Sequence, residues 1–257
     1  LTRVPNPPCP TPRSCGGKPP RGAARRRALR SAPTAHRTGT RHTRLRGRSE
    51  LPDYTWPMND LFQHKAGDWA SRPAPAQISA GVGRTLLERV ALRDDMTVMD
   101  FGAGTGLICA HVAPHVGRVY AVDVSSAMLE QLAAKAELEG KVEPIHVDIL
   151  ATPLAHRVDL IVSAMAMHHV EDTRRLLQAF ADHLAPGGRV ALADLDSEDG
   201  SFHPPDTEGV YHLGFDRDAL CGQLEACGFS EIEFTTAVEV DRDAKRYPVF
   251  LVTATRA

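Results

Sequence analysis

Val98-Met99-Asp100-Phe101-Gly102-Ala103-Gly104-Thr105-Gly106 is the stretch whose reading decides the fold. Its first four residues read as a buried strand that runs straight into a glycine-rich turn opening a helix. Glycine has no Cβ, so Gly102, Gly104 and Gly106 let backbone N–H and C=O groups approach a ligand in conformations that side chains forbid. Such a turn suits a nucleotide-like ligand, and the glycine spacing narrows the choice. A dinucleotide fingerprint sets its third glycine three positions after the second, which falls here on Leu107, whereas this chain has glycine at every other position. That spacing disfavours a nicotinamide-dependent dehydrogenase.

The chain downstream extends the pattern. Arg118-Val119-Tyr120-Ala121-Val122-Asp123 is a second short β-branched run, ending in a carboxylate 17 residues after Gly106, near the spacing at which nucleotide folds present an acid to a ribose. Next, Val124-Ser125-Ser126-Ala127-Met128-Leu129 starts a helix with serine in the capping region, and a third strand, 142–147, ends in Asp148-Ile149. Taken singly, Asp123 also reads as a helix cap or a solvated acid, Met128 as a core residue and Asp148 as a turn acid. Taken in order from Asp100 through Ile149, residue types and spacing resemble the class I S-adenosylmethionine-dependent methyltransferases, with the GxGxG turn as their motif I.

That resemblance implies site roles, residue by residue. Gly102, Ala103, Gly104 and Gly106 would pass under the methionine and ribose, with Asp100 ordering the loop and favouring the cofactor's amino group. Asp123 would hold the ribose diol. Val124 and Met128 would border the adenine, Asp148 would accept from its amino group, and the Ile149 N–H would meet a ring nitrogen. The backbone near Ser163 and Ala164 would contact the cofactor's amino group.

Beyond Ile149, residues 158–164 read as a fourth strand, 172–184 as a helix, and Gly187-Gly188 as a turn feeding a fifth strand to Asp194. A helix over 216–226 and two long strands, 231–240 and 247–255, follow, and their short connection permits an antiparallel hairpin. The β-α-β-α order predicts an α/β fold: a mostly parallel sheet with helices on both faces. Closed by a C-terminal hairpin, a seven-stranded Rossmann-like sheet of this kind is what the class I methyltransferase resemblance implies, over residues 58–257.

Ligands in open α/β sheets bind beyond the carboxyl ends of the strands. There stands Ser163-Ala164-Met165-Ala166-Met167-His168-His169, similar to a family segment in which a His-His pair is common. His168 and His169 are candidate general bases, an imidazole of pKa about 6.5 being suited to proton removal near neutrality, and His203 in the loop after strand five is a third. The alternative is that they cap or pack the next helix. Acids and imidazoles of that loop could bind a divalent ion. Metal-dependent catechol-type methyltransferases, however, place an acid just after strand four, where this chain has Ser163-Ala164-Met165, so no metal is expected. The segment 201–215 reads as a substrate-facing insertion. Phe62 to Trp69 resembles a family element that folds over the cofactor, making Phe62 and Trp69 an apolar lid; the alternative is an amphipathic helix packed on the sheet.

Composition bounds the rest. A chain of 257 residues with 42% hydrophobic content accommodates one α/β domain and an extra segment. The extra segment is N-terminal: residues 1–50 hold 13 of the 30 Lys and Arg and one of the 32 Asp and Glu, a net of +12 that leaves −14 for the remainder. Proline-rich and poor in apolar residues, residues 1–57 are expected to be disordered. They read as a translated upstream region with Met58 the natural start, an organelle transit peptide, or a nucleic-acid-binding tail. The acidic remainder repels nucleic acid unless that segment compensates. No apolar run approaches the ~20 residues of a membrane span. The five cysteines form no CxxC pair, and their odd number fits a reducing, cytoplasmic compartment.

The expectation is therefore a cytoplasmic methyltransferase acting on a small molecule by direct displacement, similar to the broad type that includes ubiquinone- and menaquinone-biosynthesis methyltransferases. A non-catalytic S-adenosylmethionine-binding regulatory protein and a protein or RNA methyltransferase are the alternatives. No Asn-Pro-Pro-Tyr run follows strand four to mark amide or base nitrogen chemistry, which leaves O, N, C or S acceptors open.

Overall fold

Side chains alternate across the central strands, and both sets are apolar. Val98, Val119, Leu160 and Ala191 face one layer of helices, while Met99, Tyr120, Ile161 and Val190 face the other. A strand buried on both faces needs no polar alternation, which is why Val98-Met99 and Leu160-Ile161-Val162 read as unbroken apolar runs. The computed structural model describes residues 60–205 and 207–257. The expected N-terminal extension 1–57 and the expected domain start at Met58 lie outside the described residues.

The strands are β1 (Thr97–Phe101), β2 (Arg118–Asp123), β3 (Val142–His146), β4 (Val158–Ala164), β5 (Leu184–Leu195), β6 (Phe229–Arg242) and β7 (Lys245–Arg256). They form one seven-stranded sheet in the order β3-β2-β1-β4-β5-β7-β6. β1 to β5 pair in parallel, and β7 lies antiparallel between β5 and β6. The order reverses between β1 and β4, so the crevice that collects ligands in such sheets opens beyond Phe101 and Ala164.

Helices α1 (Pro73–Arg89), α2 (Leu107–Val112) and α3 (Ser126–Ala133) cover one face, and α4 (Thr173–His183) and α5 (Arg217–Ala226) the other. Three of them start on side-chain caps. Ser125, Asp172 and Asp216 accept the backbone N–H of Met128, Arg175 and Ala219 respectively, each interaction worth about 1 kcal/mol. In α4, Leu176, Leu177 and Phe180 recur at helical spacing and are fully buried, so one stripe of the helix anchors it to the sheet. Among the described residues, no helix is long and apolar enough to cross a membrane.

Several boundaries differ from the sequence expectations. Residues 62–71 form no amphipathic helix but two 3₁₀ turns, Gln63–Lys65 and Trp69–Ser71, because Gly67 and the start of α1 at Pro73 divide the segment. The fifth strand begins at Leu184, before the Gly187-Gly188 turn, and its register against β4 shifts between Val158 and Leu160. The final hairpin is tighter than a 241–246 connection. Only Asp243 and Ala244 lie between β6 and β7, both at positive φ, the two-residue geometry that matches the twist of paired strands.

Candidate active site

The glycine turn begins where β1 runs out of partners. Gly102 and Ala103 donate their N–H groups to the Val122 carbonyl at 2.9 and 3.1 Å, holding the turn against the end of β2. Gly102 has φ +66°, and a Cβ there would strike the Cβ of Ala166, so the turn and the segment after β4 touch because this residue has no side chain. At Gly104, φ is +52° and a Cβ would meet nothing within 4 Å: the backbone faces open space. Gly106 differs. A Cβ on it would come within 2.9 Å of Leu132 and 3.0 Å of Leu138, so it packs the turn onto α3 rather than facing outward.

The acid after β2 is tied into this turn. Asp123 accepts the Gly104 N–H on Oδ2 at 2.7 Å and the Ser125 N–H on Oδ1 at 2.8 Å. Burial pushes its pKa up, and these backbone donors pull it back. Asp100, one strand over and 1% exposed, accepts the Cys109 thiol at 3.1 Å. Burial raises its pKa to about 7, with the Cys109 hydrogen bond opposing and the nearby Asp123 charge adding to the rise. Asp148 accepts the Leu150 N–H on Oδ1 at 2.8 Å, Met128 and Ile149 are buried, and Val124 is exposed.

Histidines gather beyond β4. Met165, at φ +59°, turns the chain out of the strand, and Met167–His169 form a 3₁₀ turn. His168, 1% exposed, places Nδ1 2.7 Å from Oδ1 of Asp194, itself fully buried at the end of β5. A carboxylate only accepts, so Nδ1 carries a proton; the ring's other nitrogen, Nε2, is buried without a partner. The His169 ring lies 4.1 Å from that of His168, and the His203 ring 5.1 Å. His169 Nδ1 donates to the Gly209 carbonyl at 2.6 Å, which pins the loop after β5 over the cluster. Burial, and next the neighbouring His168, lower both His169 and His203 to a pKa of about 4. Phe62 packs edge-on against His169 at 5.1 Å, with Trp69 6.2 Å beyond. Phe202 packs the same way against His203 at 5.0 Å. Among the described residues, no group of three or more His, Cys, Asp or Glu side chains is placed to hold a metal ion.

Residues 98–188 match the model of a family described as a methyltransferase domain. The seven-stranded sheet has the class I methyltransferase fold. An uncharacterised methyltransferase of Schizosaccharomyces pombe is 27% identical over 158 residues, 55% of this chain and 56% of the relative. One of Mycobacterium bovis is 30% identical over 129 residues, 50% of this chain and 62% of its own. The chain thus spans little more than half the length of these relatives. A crystal structure of an S-adenosylmethionine-dependent methyltransferase from Aquifex aeolicus is 23% identical, with a TM-score of 0.58 over 76% of this chain and 98% of that one. The N-methyltransferase NodS of Bradyrhizobium japonicum, bound to S-adenosylhomocysteine, is 16% identical, with a TM-score of 0.59 over 77% and 99%. These structures share the fold.

The residues at this end of the sheet fit S-adenosylmethionine. Thr105 Oγ1 in the glycine turn and Ser163 Oγ at the end of β4 are buried hydroxyls without a partner in the protein, Gly104 leaves its backbone open, and each Asp123 oxygen retains acceptor capacity.

Two contributors escaped the sequence reading. Asp60 accepts the Phe62 N–H at 3.0 Å and the Ser125 hydroxyl at 2.8 Å, fastening the Phe62 segment beside Asp123. An Asp two residues before the residue whose N–H it accepts is a local turn signal that was there to be read. Asp194 was one acid among several in a polar stretch, and only the pairing of β4 with β5 sets it beside His168.

Proposed function

We propose that this protein is a cytoplasmic S-adenosylmethionine-dependent methyltransferase that methylates a small-molecule acceptor, with residues 58–257 as its catalytic domain. The observation that carries the reading is the junction of the glycine turn with Asp123: an open backbone edge, bounded by an acid and by the unpartnered hydroxyls of Thr105 and Ser163. The match of residues 98–188 to a methyltransferase domain and the S-adenosylhomocysteine held by NodS support the same cofactor here.

In this reading Gly102, Ala103 and Gly104 run under the methionine and ribose, while Gly106 supports them from below by packing on α3. Asp123 accepts the ribose hydroxyls. Asp100 and the backbone at Ser163 favour the amino group, whose positive charge draws Asp100 back toward its ionised form. Val124, Met128, Asp148 and Ile149 border the adenine. Bound S-adenosylmethionine supplies an electrophilic methyl carbon on a sulfonium. The protein's part is alignment and exclusion of water, and the tether of the Phe62 segment through Asp60 to Ser125 supports its reading as a lid.

The test is to incubate the full chain with methyl-labelled S-adenosylmethionine and a metabolite extract, then separate by size. Label is expected in the small-molecule fraction; label confined to protein or RNA would instead favour a macromolecular acceptor.

A further inference from the structure

The cofactor reading leaves a buried pair unused. Asp194 accepts three N–H groups: His168 Nδ1 at 2.7 Å, the His168 backbone at 3.2 Å and the Leu195 backbone at 2.8 Å. Together they fix a proton on Nδ1 and the direction of the ring, and leave Nε2 buried and unpartnered beyond the end of β4. A buried nitrogen that has forgone water without gaining a protein partner calls for a functional explanation.

Resting on the function proposed above, we infer that His168 is the general base, that Asp194 positions it, and that the acceptor is an uncharged molecule presenting a phenol-type hydroxyl. A free amine already carries a usable lone pair and needs no base, whereas a hydroxyl must surrender a proton as it attacks. Uncharged rings flank His168. His169 and His203 face His168 and are neutral near pH 7, so they offer no cation to hold a carboxylate acceptor. Asp194 is committed to His168; Oε2 of Glu198 accepts the Ser201 and Phe202 N–H groups while its Oε1 is buried without a partner, and Glu198 and Arg242 act on His203 with opposite signs, so that acid and base offset each other. The rings of Phe62 and Phe202 pack edge-on against His169 and His203 and border the cluster with apolar surface.

The acceptor oxygen gives its proton to His168 Nε2 and an electron pair to the methyl carbon; the methyl–sulfur bond breaks, and its pair stays on sulfur. The products are a methyl ether, S-adenosylhomocysteine and an imidazolium paired with Asp194, which later passes its proton to solvent.

Two measurements on the full chain test this. Nitrogen-15 NMR of labelled histidines with S-adenosylhomocysteine added should show His168, assigned by loss of its signal in His168→Gln, as the Nδ1–H tautomer. An Nε2–H tautomer would overturn the inference without any variant having to be active. Labelled S-adenosylmethionine with phenol and catechol, and with benzylamine for contrast, should methylate the phenols. His168→Gln should lower that rate by about 10² to 10⁴. Asp194→Asn should lower kcat, displace the acid limb of the kcat–pH profile and leave S-adenosylhomocysteine affinity unchanged. Retained turnover in His168→Gln, an unmoved acid limb in Asp194→Asn, or methylation of amines alone that is lost in Glu198→Gln, would each overturn it. So would binding of S-adenosylhomocysteine with no phenol methylated, whereas absence of that binding would remove the underlying function as well.

Discussion

The Gly104 amide donates to Oδ2 of Asp123 at 2.7 Å, so the turn after β1 and the acid after β2, 19 residues apart, form one unit. The acid holds the glycine turn in place, and the turn offers its open backbone edge beside the acid. Asp123→Ala removes both this anchor and the acceptor proposed for the ribose diol. With charge-assisted hydrogen bonds worth roughly 1.5–3 kcal/mol, S-adenosylhomocysteine should bind at least tenfold more weakly by calorimetry. Unchanged affinity would remove Asp123 from the site.

Gly102 and Ala166 hold the turn against the segment that carries the histidines. Gly102→Ala adds a methyl where Ala166 already stands, an overpacking expected to lose about 1–3 kcal/mol in urea unfolding. Ala166→Gly in the same chain should return the steric part and leave a residual loss from the positive φ. Simple additivity of the two substitutions would show that they do not touch in solution.

Asp100 makes stability depend on pH in a definite direction. Folding raises its pKa from 3.8 to about 7, so the folded chain binds this proton more tightly than the unfolded one. Its contribution therefore grows more favourable as pH falls from about 7 toward 3.8, and the penalty is full above about 7. Asp100→Asn should raise Tm relative to the native chain at pH 8, with the difference shrinking toward pH 5. A difference constant across that range would contradict the buried, raised carboxyl.

The glycine turn, the acids ending β2 and β3 and the C-terminal hairpin were legible because each is a local signal: a spacing, a strand end, a β-branched run. Seven strands and both helical layers followed from their order. Helix α1 was not legible. Its residues include Pro73, Pro75, Gly81 and Gly83, which read as helix breakers, yet a Cβ at Gly81 would stand 2.5 Å from the Cβ of Val238 on β6. The helix tolerates its glycines because they let it lie close to the sheet, a tertiary reason without local trace. His168 and His169 were read as an adjacent pair and His203 separately; their rings lie together, but the tie of His168 to Asp194 depends on β4–β5 pairing.

That close approach reverses an ordinary expectation. Inside an exposed helix, glycine to alanine stabilises by about 1 kcal/mol; at Gly81 the same change should destabilise, because Val238 must move. Chemical denaturation of Gly81→Ala gives the sign directly, and a gain in stability would show that α1 does not rest on β6 as described.

Titration of the full chain with S-adenosylhomocysteine, and separately with NAD, tests the central claim most directly. The glycine spacing and the Asp123 junction predict saturable one-site binding of S-adenosylhomocysteine, weakened in Asp123→Ala, with no heat from NAD. Binding of NAD without binding of S-adenosylhomocysteine would contradict the account.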